Sequence, residues 1–120
     1  MVTKVTPTKK VERFERYNCT GKLRVQINTN GSEITEVINM PKKGGCKYNL
    51  QLIGRLITGM LECNIDINYI LSILDDNDPC PSPASRMKRE NLNREETGLG
   101  GCSKIIKVAI ENKLNELQKK

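Results

Sequence analysis

A chain of 120 residues with 20 Lys and Arg against 14 Asp and Glu carries a formal charge of +6, and its isoelectric point near 9.2 favours an anionic partner. It has no histidine and no tryptophan, which excludes His-based triads, His general bases and mixed Cys/His zinc sites. The length suits one domain with one modest core, no run of about 18 apolar residues marks a membrane span, and an odd count of five cysteines favours thiols or a metal in a reducing compartment over a disulfide framework; the expected setting is the cytoplasm.

Met1 to Tyr17 reads as a basic N-terminal segment, a tail or sheet edge, and residues 18–120 as a single α+β domain. Leu23, Val25 and Ile27 alternate with Lys22, Arg24 and Gln26, the period of a half-buried strand. Asn30-Gly31 supplies two residues suited to φ > 0 in a tight hairpin turn, with Ile34, Ile38 and Met40 marking the return strand. Pro41 and Gly44-Gly45 end the sheet and open a helix from Cys46 to Cys63, whose Leu50, Ile53, Leu56, Ile57, Met60 and Leu61 recur at helical spacing. Asp66 is the expected N-cap of a second helix carrying Ile67, Ile70, Leu71 and Leu74. Pro79 to Gly101 reads as a long loop, and Ser103 to Leu117 as a third helix with Ile106, Ala109, Ile110, Leu114 and Leu117 buried. The implied architecture is a small antiparallel sheet packed against three helices. Two strands bury too little alone, so either the N-terminal segment or another chain completes the sheet, and a homo-oligomer is expected, at least a dimer, with a hexamer in range.

Four signatures place a cysteine beside Gly, Pro, Ser or Thr: Asn18-Cys19-Thr20-Gly21-Lys22, Lys43-Gly44-Gly45-Cys46, Pro79-Cys80-Pro81-Ser82-Pro83 and Gly100-Gly101-Cys102-Ser103. Thiolates at Cys19, Cys46, Cys80 and Cys102 could complete a tetrahedral zinc site, although no two lie two to four residues apart; the alternative is small thiols packed at element ends. Cys63 belongs to no signature and reads as core. A catalytic cysteine would need Lys or a carboxylate as its base, so an enzyme is not expected. The glycines at 44–45 and 98–101 precede helices, where free N–H groups and the helix dipole suit a phosphate, with Lys42, Lys43 and Lys47 at one end and Lys104 and Lys107 at the other. Tight helix entries alone would also account for them. Arg55 interrupts an apolar helix and must be paired, solvated or face a cleft. Nucleic acid ranks third, because Phe14, Tyr17, Tyr48 and Tyr69 are the only stacking platforms.

The run Cys19 to Asn28, then Lys43-Gly44-Gly45-Cys46, Ile53-Gly54-Arg55-Leu56-Ile57 and Cys80-Pro81-Ser82-Pro83, resembles the TSCPD domain, from about Tyr17 to Leu117. The closing Ser-Cys-Pro-Asp of that family is here Gly101-Cys102-Ser103-Lys104. The resemblance implies either the C-terminal domain of adenosylcobalamin-dependent ribonucleotide reductases or a small stand-alone relative. In size and in the placement of basic residues the chain is also similar to phage anti-Thoeris sponges, small oligomers that sequester cyclic ADP-ribose signals. That second likeness implies a non-enzymatic binder of a nucleotide-derived anion in the host cytoplasm, gripping it with Arg24, Gly44, Gly45, Arg55, Ser82, Pro83, Arg86, Ser103 and Lys104. The first implies an accessory domain of ribonucleotide reduction with zinc as a candidate cofactor.

Overall fold

Alternating burial of Leu23, Val25 and Ile27 makes Lys22–Thr29 the central strand, β2, of a three-stranded antiparallel sheet. The computed structural model describes residues 13–18, 21–41, 46–76, 80 and 82–118. β1 (Arg13–Tyr17) pairs with β2 in the register Phe14↔Val25 and Tyr17↔Lys22. β3 (Ile34–Pro41) pairs on the other side, Ile27↔Val37 and Leu23↔Pro41. The N-terminal segment therefore completes the sheet, and its last five residues belong to the domain that the sequence begins at residue 18.

The hairpin turn differs from the expected two-residue form. It spans residues 30–33, closed by Asn30 N–H to Glu33 O at 3.0 Å. The Asn30 carboxamide oxygen accepts from the Ser32 and Glu33 amides at 3.1 and 2.9 Å, so Asn30 acts through its side chain, and the positive φ falls on Gly31 (105°). A register shift at Asn28/Thr29 follows. It turns Ile34, Val37, Asn39 and Pro41 inward, while Ile38 and Met40, which mark the return strand as expected, lie half-buried on the outer face.

Four α-helices follow among the described residues, one more than the sequence pattern indicated: α1 (Lys47–Glu62), α2 (Ile67–Asp75), α3 (Ser82–Glu90) and α4 (Cys102–Gln118). The segment from Pro79 to Gly101 is thus not a bare loop; it contains α3 and a 3₁₀ turn at Arg94–Glu96. Asp66 caps α2, its carboxylate accepting from Asn68 N–H at 3.2 Å. Cys63 is exposed and not in the core: α1 ends there and the chain reverses at Asn64, φ 63°.

The core joins Leu23, Val25 and Val37 of the sheet to Leu50 and Ile57 of α1, Ile70 and Leu74 of α2 and Ile105, Ile106 and Ile110 of α4. β3 is an edge strand, and α1 covers its open side. The Thr58 hydroxyl accepts from Val37 N–H at 3.0 Å and donates to Val37 O at 3.3 Å, while Asn39 Nδ2 donates to Leu50 O at 2.9 Å. Gly54 permits this approach, since a Cβ there would lie 3.0 Å from Val37 O and 3.2 Å from Asn39 N.

Candidate functional site

Antiparallel pairing brings the end of β1, the start of β2 and the end of β3 to one end of the sheet. The chain returns there twice. Gly98 N–H donates to Tyr17 O at 2.8 Å, and Cys80 N–H donates to Gly100 O at 3.0 Å. α1 also starts toward this end, since Leu50 is tied to Asn39 while the later Thr58 is tied to Val37. The described parts of three of the cysteine signatures therefore gather in one region, and Cys46 stands at the start of α1 toward the same end of the sheet.

Arg86 organises it. Its Nη1 donates to Asn18 O at 2.9 Å and Gly21 O at 2.7 Å, its Nε donates to Glu90 Oε2 at 3.0 Å, and its guanidinium lies 5.4 Å from the centroid of the Tyr17 ring. With a side chain only 13% exposed, Arg86 is spent on holding the turn that leaves β1. Asn18 secures the same turn from within: its Oδ1 accepts from Gly21 N–H at 2.9 Å and its Nδ2 contacts Cys102 Sγ at 3.8 Å. Gly101, at φ 99°, passes so close to Cys80 that an added Cβ would stand 2.6 Å from the cysteine's own. Only glycine fits there.

Cys102 is half-buried, and Cys80 and Cys46 are exposed. Cys19, Gly44 and Gly45 lie outside the described residues. Among the described residues no three acidic or cysteine side chains come together as a metal-binding group.

Of the cations expected to grip phosphate, three are paired within the chain. Arg24 bonds Glu15, Arg86 bonds Glu90, and Lys104 Nζ reaches Asp75 O at 2.7 Å and Asp75 Oδ1 at 2.9 Å. The hydrogen bonds from Arg24, Lys104 and Arg86, respectively, hold the carboxyls of Glu15, Asp75 and Glu90 below their ordinary values. Ser82 is an exposed first residue of α3, Pro83 is buried beside it, and Ser103 is half-buried in the first turn of α4. Arg55 stands apart: exposed, with no ion pair or hydrogen bond among the described residues, it lines a groove of about 770 Å³ between α1 and β3. Sequence reasoning missed α3 and its latch. Pro83 near a helix start and the Arg86/Glu90 pair at i,i+4 were the available signals.

No helix among the described residues is long and apolar enough to cross a membrane. No curated protein and no solved structure matches the chain. The TSCPD domain family matches residues 2–114, a span that takes in the cysteine-bearing end of the sheet, the Arg86 latch and most of α4. This chain belongs to the TSCPD domain family.

Proposed function

We propose that this chain is a non-catalytic accessory domain of ribonucleotide reduction that acts by docking on a partner protein through the cysteine-bearing end of its sheet. The family assignment carries this reading. A backbone-braced region beside which three of the expected phosphate-binding cations are already paired with carboxylates supports it. Sequestration of a cyclic ADP-ribose or cyclic oligonucleotide signal by a phage anti-defence sponge draws less support. Charge-assisted contacts to phosphate would have to compete with the carboxylates already held in the Arg24–Glu15, Arg86–Glu90 and Lys104–Asp75 pairs.

The test mixes the purified chain with the catalytic subunit of an adenosylcobalamin-dependent reductase that lacks its own C-terminal domain, and reads association by sedimentation. A melting-temperature screen against cyclic ADP-ribose isomers and cyclic oligonucleotides runs in parallel. Association with the subunit and an unchanged melt support the accessory role. A melt raised by one of these compounds without association replaces it with sequestration.

A further inference from the structure

α1 is apolar on two sides. At about 100° per residue, Leu50, Gly54 and Ile57 form the stripe that is buried against the core, and Tyr48, Leu52, Arg55 and Gly59 form a second stripe roughly opposite. That second stripe faces solvent: Tyr48 is 76% exposed and Leu52 52% exposed, with Leu56 beside them at 56%. A helix with an inner and an outer apolar face is built to be covered twice. The outer stripe forms one wall of the α1–β3 groove, and Ile38 and Met40 form part of the other.

The charges on this surface name the occupant. Arg55 and Glu62 both line the groove, lie two helical turns apart on α1, and have no partner among the described residues. Midway between them sits Gly59, where an added Cβ would meet nothing within 4 Å. A surface that carries an unpaired cation and an unpaired anion about a small central residue is complementary to itself when turned by a two-fold axis. We propose that the groove receives α1 of a second copy of this chain, the two helices crossing antiparallel at Gly59. Arg55 of each copy then meets Glu62 of the other, and Leu52, about 10 Å along the helix from the crossing, approaches the turn after α1 of the opposite chain, where Ile65 is exposed. The docking is that of an amphipathic helix in a groove, and it is isologous, so it closes at two copies and leaves the cysteine-bearing end of each sheet free for another partner.

Sedimentation equilibrium of the full chain tests this. Wild type is expected to be dimeric at micromolar concentration. Arg55→Glu, which sets like charges opposite each other at two places, is expected to weaken the dimer at least tenfold, and Leu52→Glu to do the same. Combining Arg55→Glu with Glu62→Arg restores attraction in reversed sense and is expected to recover association to within about threefold of wild type. All three sites are exposed, and unchanged circular dichroism verifies that each variant is folded. A monomeric wild type, a dimer indifferent to Arg55→Glu and Leu52→Glu, or a double reversal no better than the single one would each overturn the proposal.

Discussion

Removing the Arg86 side chain separates a structural latch from a ligand contact. Arg86→Ala deletes two charge-assisted bonds to the carbonyls of Asn18 and Gly21, and each such bond contributes about 1.5–3 kcal/mol. Both come from the same nitrogen, so the lower end of the range applies, and the loss is about 3 kcal/mol. The exposed end of the ion pair to Glu90 adds only a few tenths. With an unfolding entropy of about 2.1 cal/mol/K per residue, a chain of this length should melt roughly 12 °C lower. Arg86→Lys keeps the charge but not the planar fork, and should recover less than half of that. Differential scanning calorimetry without any ligand is the assay. A drop below about 2 °C for Arg86→Ala would refute the latch and return the residue to the set available for binding.

Thr58→Val removes both bonds to Val37 and should cost about 1–2 kcal/mol, with hydrogen exchange at the Val37 amide accelerating more than at Leu23. Gly101→Ala, forced to keep φ near 99° with its Cβ against Cys80, should destabilise by more than about 2 kcal/mol, read by urea titration. The carboxyls of Glu15, Asp75 and Glu90 are lowered in the folded chain, so as pH falls below about 4.3 the unfolded state takes up protons first. The contribution of these three carboxyls is therefore expected to be constant above pH 5 and to decline below it, and Glu15→Gln should flatten part of that decline.

Hydrophobic periodicity made β2, α1, α2 and α4 legible, because each has a buried stripe with a single period: Leu23, Val25 and Ile27 in the strand, and Ile106, Ala109 and Ile110 in the last helix. It placed Ile38 and Met40 in the return strand but not on a face, because the register shift at Asn28/Thr29 moves the inward set by one residue and brings in Asn39, a polar residue 3% exposed. α3 was unreadable by this signal. Its sequence, SPASRMKRE, has almost no apolar stripe, and it is held through Pro83 and the Arg86 guanidinium instead. The gathering of the cysteine signatures could be anticipated from their order, but the neutralisation of their basic neighbours could not. Glu15 is nine residues from Arg24 and Asp75 is 29 from Lys104, so only the tertiary fold joins them.

The Thr58 hydroxyl has a consequence for how this protein could fail. By occupying both hydrogen-bonding groups of Val37, it keeps β3 from accepting a fourth strand. The run Ile34–Met40 has the composition of a self-pairing segment, interrupted by the single charge of Glu36. Its protection depends on α1 staying docked rather than on the global stability of the domain. Fluctuations that lift α1 alone would bare a ready template while the rest of the core stayed intact. Under mild stress, fibril formation should therefore track the local opening of one helix and begin well before the chain as a whole unfolds.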